Sequence, residues 1–326
     1  MPPAITVRHL TKAFRYPRRQ AGLLGGLRGA LFPDYQQIQA VDGVGFDIAA
    51  GERVAIIGPN GAGKSTTLKM LSGILEPTAG DARVLGLTPW RERKALAYRI
   101  GVVFGQRSQL WPELPARESF ALLAHVYAQA GADFERRRGE LIERFDLGPL
   151  MSQPVGRMSL GQRMRCEIAA SLMHGPSLLF LDEPTIGLDI TAKAAIRDFI
   201  TGAARESGQT VVLTSHDTRD IELVCDRVIV INQGRIVVDQ PTEQLRRRFL
   251  AHKLVTLHAP ARRVEIDLPG VTRRASAPHL DVFEIDTRRV RVEQALAAAL
   301  DGGGVEDITI EDPPMEEVIR EIYAVA

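Results

Sequence analysis

Residues 58–66, GPNGAGKST, match the spacing G-x-x-x-x-G-K-[ST] and lie between an apolar run and a helical one. Gly58, Gly61 and Gly63 let the backbone curl so that successive N–H groups, with Pro59, Asn60 and Ala62 between them, point at one anion. Lys64 supplies a mobile cation for the outer phosphates of a nucleotide. The hydroxyls of Ser65 and Thr66 open the helix, where Ser65 is placed to ligate Mg²⁺. This is the composition of a phosphate cradle.

A cradle holds but does not cleave. LLFLDEP brings two adjacent carboxylates to the end of a second buried run, where Asp182 follows four apolar residues and Glu183 comes next. One carboxylate is taken by the metal or its water, which leaves the other to orient or deprotonate an attacking water. A further stretch, MSLGQR, sets Ser159, Gly161 and Gln162 at the start of a helical run. Unpaired N–H groups and the positive end of a helix dipole make that a second seat for an anion.

Positioning these groups requires strands that end together. AITVRHL alternates, whereas AIIGP, SLLFLDEP and TVVLTSH carry continuous apolar runs, the pattern of parallel strands covered on both faces. VIVINQGRIVVD predicts a hairpin turning at 232–234. Helical runs such as KSTTLKMLSGIL and TAKAAIRDFITGAARES lie between strands, so the class is α/β. Residues 107–173 read instead as successive amphipathic helices, RESFALLAHVYAQAG and FERRRGELIERFDL, inserted into that core. A basic, Gly-rich insertion, RYPRRQAGLLGGLRGALFPDY, parts the first two strands as a solvated loop with a short helix or as a surface for a membrane or partner. Beyond about residue 246, LVTLHAP, RVEIDLPG, VFEIDT and ITIED predict short strands. VRVEQALAAALDGG and PMEEVIREIYAV predict helices, with a turn at 302–304, which makes a small α+β domain.

The chain has 326 residues, 45% hydrophobic and 25% charged, enough for a large core plus an appended domain. A net charge of +1 gives no general pull toward nucleic acid, and none is expected as a partner. Cys166 and Cys225 lie too far apart in sequence to suggest a metal cluster or disulfide framework, as suits a reducing cytosol. No run approaches the ~20 apolar residues that cross a bilayer, and the N-terminus lacks a secretion signal. The expectation is a protein soluble by itself whose membrane role comes from a partner.

In this order the motifs resemble the nucleotide-binding subunits of ABC transporters, over residues 1–245. GPNGAGKS is similar to the Walker A motif, MSLGQ to the signature and LLFLDE to Walker B with its glutamate. IGLD, ending in Asp189, is similar to the D-loop, and His216 in TSHD to the switch histidine. The resemblance implies a P-loop NTPase fold with an inserted helical subdomain, an antiparallel β subdomain and, at residues 246–326, an accessory α+β domain. It implies two copies packed head to tail around two ATP. Ser159, Gly161 and Gln162 of each copy then face the γ-phosphate held by the other. Glu183 and His216 are the implied catalytic residues, and Ser65, Asp182 and Gln106 the implied Mg²⁺ set. Gln106 matches the Q-loop glutamine, with Gln109 as a rival because VVFGQRSQLW is one residue longer than the common form. Phe14, or alternatively Tyr16, matches the aromatic that stacks on adenine. Leu160 stands where the signature commonly has glycine.

DEPTIGLD, FGQRSQLW and the appended domain look most like ATPases serving drug, antibiotic or polysaccharide exporters. Those work on the cytoplasmic face of the membrane, held there by an integral membrane permease that LWPELPARESF would face. The alternatives are a nucleotide-gated scaffold or an ATPase of translation or DNA repair. One set of motifs argues against translation, the short span from Lys64 to Met158 against a long coiled-coil insertion, and an intact Glu183 against a scaffold.

Overall fold

The computed structural model describes residues 2–17, 35–105, 108–215, 217–245, 252–259, 263–301 and 303–311. The chain divides into two compact units, residues 1–240 and 241–326.

The first unit begins with two long strands, β1 (Ile5–Pro17) and β2 (Tyr35–Ile48), followed by β3 (Arg53–Ile57) and α1 (Lys64–Leu71). Next come β4 (Ala79–Val84), a short α2 (Arg93–Ala97) and β5 (Ile100–Phe104). The helical insertion follows as α3 (Ala116–Val126), α4 (Ala132–Arg144), two 3-10 turns and α5 (Leu160–Leu172). The chain then returns through β6 (Leu178–Asp182), α6 (Ile190–Ser207), β7 (Thr210–Thr214), α7 (Thr218–Val224), β8 (Arg227–Asn232) and β9 (Arg235–Pro241).

Five of the strands form a parallel array, and the six-stranded order is β5-β6-β7-β3-β8-β9. The central strands are buried on both faces, as their unbroken apolar runs require. Because β3, β6 and β7 run parallel, their C-terminal ends lie together. The register pairs Asp182 with Thr214 and Ile56 with Thr214, so loops leaving three neighbouring strands meet at one edge. The antiparallel sheet β2-β1-β4 covers α1, and one apolar cluster joins both sheets through Ile5, Leu10, Phe46, Leu68, Met70 and Phe180.

One detail of this unit differs from the sequence expectation. Residues 15–17 and Tyr35 extend β1 and β2, pairing Pro17 with Tyr35, so the basic insertion starts and ends in strand. Its remaining residues, 18–34, lie outside the described ones. The β8–β9 turn falls where expected, with Gln233 and Gly234 both at positive φ.

The second unit is a four-stranded antiparallel sheet of β10 (His252–His258), β11 (Val271–Ala277), β12 (Leu280–Asp286) and β13 (Asp307–Glu311), ordered β11-β12-β10-β13, with α8 (Val292–Leu300). Val255, Leu257, Phe283, Ile285, Ala295 and Ala299 form its core. RVEIDLPG is not a strand. Val264 N donates to the buried Asp281 Oδ2 at 2.9 Å, so a side chain takes the place of a ladder partner. The polar run VTRRASA is a strand instead, paired at the sheet edge with all but Val271 exposed. PMEEVIREIYAV lies outside the described residues.

Candidate active site

The cradle grows from the end of β3. Gly63 caps α1 at φ 107, and a Cβ there would sit 2.4 Å from the Ala40 carbonyl oxygen, so both backbone and space demand glycine. The loop is braced from outside, where Gly234 N donates to Ala62 O at 3.0 Å. From inside, the Lys64 ammonium spans it, donating to Gly58 O at 2.7 Å and Pro59 O at 3.2 Å. Lys64 is 6% exposed. Burial pulls its pKa below the ordinary lysine value, opposed by the charges of Glu183 and Asp182.

Asp182 ends β6 and is buried. Its Oδ1 accepts from Ser65 Oγ at 2.9 Å and from Thr214 Oγ1 at 2.7 Å. Thr214 at the end of β7 also fixes the next residue, because Glu183 N donates to Thr214 O at 3.1 Å and to Thr214 Oγ1 at 3.0 Å. Glu183 itself adopts φ 55, a left-handed conformation that costs a non-glycine residue roughly 1–2 kcal/mol. Such a conformation persists only where the surroundings over-determine it.

Two cavities meet here. One of about 380 Å³ is lined by residues 60–66 with Glu183 and Ile186. The other, about 360 Å³, is lined by Ser65, Lys69, Ile74, Phe104, Gly105, Asp182 and Glu183. Ser65 and Glu183 border both. A glycine-rich loop at a helix N-terminus, with a buried ammonium, suits a polyphosphate. The adjacent Ser65 hydroxyl and Asp182 carboxylate form a hard-oxygen pair suited to a small divalent cation.

Ser159, Gly161 and Gln162 line neither cavity. Ser159 caps α5, where its Oγ accepts from Gln162 N at 3.2 Å while its own N–H donates to Gln162 Oε1 at 2.9 Å. This capping box uses the acceptor side of each group and turns the hydroxyl and amide donors outward. Asp189 likewise caps α6, accepting from Ala192 N at 2.8 Å. The two turns touch: a Cβ on Gly161 would lie 3.1 Å from Ala192 Cβ, and one on Gly187 3.0 Å from Leu160 Cδ2. Leu160, the departure from glycine, thus fills the contact with the D-loop turn.

Phe14 sits on β1, half-buried, with Lys12 Nζ 5.4 Å from its ring centre and the exposed Tyr16 ring 6.3 Å away. Gln106 and His216 lie outside the described residues. Gln109 Nε2 donates to Glu167 O on α5 at 2.8 Å. Its N–H donates to the Glu167 carboxylate at 3.1 Å, which the Ser108 hydroxyl also bonds. Burial raises the pKa of that carboxyl. Both cysteines are buried, which pushes the Cys166 thiol up to about 12 and that of Cys225 up as well.

Sequence reasoning missed Thr214, whose hydroxyl donates to the Asp182 carboxylate and accepts from the Glu183 backbone N–H; the pairing of β7 with β6 that makes this contact has no local signal in the chain. It also missed why residue 105 is glycine. Gly105 N donates to Asp182 O at 2.9 Å, and a Cβ would lie 2.8 Å from the Glu183 carbonyl oxygen.

Known proteins resemble this chain in sequence and fold. The family described as ABC transporter matches residues 41–186. The chain is 35% identical over 208 residues to the ABC transporter ATP-binding protein NatA of Bacillus subtilis, covering 64% of this chain and 84% of that one. It is 33% identical over 294 residues to the daunorubicin resistance ATP-binding protein DrrA3 of Streptomyces coeruleorubidus, covering 87% and 91%. A dimeric ATP-binding cassette solved in a post-hydrolysis state with ADP and Pi superposes with a TM-score of 0.61 at 26% identity, covering 73% of this chain and 98% of that one. The fold and cradle therefore define an ABC-type ATPase. This chain belongs to the ATP-binding proteins of ABC transporters, and it binds and hydrolyses ATP.

Proposed function

We propose that the chain powers a separate membrane permease for export, working as a homodimer that closes head to tail around two ATP. The single observation that carries this reading is the split of the site. The cradle, Asp182 and Glu183 share one set of cavities, while the outward donors of Ser159 and Gln162 belong to a surface turn that lines neither. A second copy supplies the missing side. Relatives named for drug resistance support export. Among the described residues no helix is long and apolar enough to cross a membrane, which fits a permease on another chain at the cytoplasmic face.

In this scheme the N–H groups of residues 60–66 and Lys64 hold the phosphates, and adenine stacks on Phe14 or Tyr16. Ser65 and Asp182, with Gln106, hold Mg²⁺, which when bound supplies charge neutralisation at the phosphates. Glu183 accepts a hydrogen bond from the attacking water and takes its proton. His216 and the partner's signature steady the γ-phosphate, and Asp189 faces the partner across the interface. Gln109 is committed to Glu167, which favours Gln106 as the Q-loop residue.

Glu183→Gln tests the scheme. Light scattering with ATP should report a persistent dimer, and phosphate release should fall at least a hundredfold. A monomer with unchanged turnover would contradict it.

A further inference from the structure

Beside the catalytic edge lies a cluster of buried charge that the scheme above does not use. Asp220 on α7 is 2% exposed. Its Oδ1 accepts from Arg197 Nε of α6 at 2.5 Å. Its Oδ2 accepts from Thr185 Oγ1 at 2.5 Å and from Ser215 Oγ at 2.6 Å. Arg197, 7% exposed, also pairs through Nη2 with Asp217 Oδ2 at 2.9 Å, and Lys193 Nζ donates to the same oxygen at 2.7 Å. Asp217 N in turn donates to Ser215 Oγ at 2.9 Å.

The connections follow a pattern. Thr185 stands two residues after Glu183, and Ser215 and Asp217 flank position 216. Lys193 and Arg197 are four residues apart on one face of α6, the helix capped by Asp189. One carboxylate therefore joins the chain leaving β6, the chain leaving β7 and the helix that follows the D-loop. Two cations and two anions balance, so the cluster is electrically closed. Removing such charges from water costs about as much as their attraction returns, so added stability is a weak account of it. What it supplies is direction, because each bond has a fixed donor and acceptor.

We propose that Asp220 and Arg197 are positioning residues for hydrolysis, holding the Glu183 turn and the end of β7 at Ser215 at a set separation and tying both to the D-loop helix. The inference rests on the catalytic reading of Glu183.

The test uses full-length Asp220→Asn, Arg197→Met and the neutral double variant, which keeps an acceptor oxygen for Thr185 or Ser215. Asp239→Asn, which breaks the Arg227 pair on β9, serves as the control. For each, kcat and KM for ATP are measured with the melting temperature. All three cluster variants should lose at least tenfold in kcat with KM within about twofold, and the control should match the parent. The double variant should regain melting temperature over Arg197→Met without regaining kcat. Recovery of kcat together with melting temperature, or an unchanged kcat in folded Asp220→Asn, would overturn the proposal. Glu183→Gln run alongside separates the two ideas. Full turnover there defeats the role of Glu183, whereas its loss beside a normal Asp220→Asn defeats only the positioning pair.

Discussion

Lys64 illustrates how much one side chain carries. It is buried and spans its own loop, so Lys64→Ala removes a charge-assisted donor without opening a large void. A hydrogen bond to a charged group contributes roughly 1.5–3 kcal/mol, so ATP affinity should fall about tenfold to a hundredfold by equilibrium titration. Undiminished affinity would refute the cradle. At this scale the sequence was highly legible wherever spacing along the chain creates the chemistry, as in residues 58–66 and the Asp182–Glu183 pair. It was silent where chemistry comes from a neighbouring strand. Nothing near Thr214 in sequence announces that its hydroxyl meets Asp182 from 32 residues away.

Elements add a second layer of cause. The capping box of α5 is written in the chain as S-x-x-Q, and Ser159→Ala should cost about 1 kcal/mol of stability, read in urea unfolding. Glu167 on the same helix gives a pH test. Because burial raises its pKa above the ordinary 4.5, the folded chain keeps that proton to higher pH than the unfolded chain does. Stability should therefore fall as pH climbs from 4.5 through the raised value, and Glu167→Gln should remove that slope. Melting curves of both proteins across that window check it, and parallel slopes would count against the effect. Continuous apolar runs revealed β3, β6 and β7, because burial on both faces leaves no other pattern. The run VTRRASA hid β11, since an edge strand with all but Val271 exposed carries no apolar signal. RVEIDLPG misled for the opposite reason: it alternates like a strand, yet Asp281 supplies its hydrogen bond.

The molecule as a whole divides its pocket between copies in the proposed scheme, and mixing tests that division. Lys64→Ala and Ser159→Arg variants should each be inactive alone, while their heterodimer regains one working pocket and up to about half the parental turnover at full pairing. No recovery despite confirmed pairing would sink the shared site. The change of character in the chain suggests a boundary at residue 245, whereas the compact units divide after residue 240, and the packing of the second unit's strands had no signal in the sequence. One consequence follows from the self-satisfied caps of α5 and α6. Ser159, Gln162 and Asp189 already close their own backbone bonds, so each copy reaches its partner with the meeting turns built. Association then resembles the collision of two finished bodies, with little ordering left to slow it. In dilute solution, without a permease to gather the copies, phosphate output per milligram should climb with protein concentration and level off only once most copies are paired.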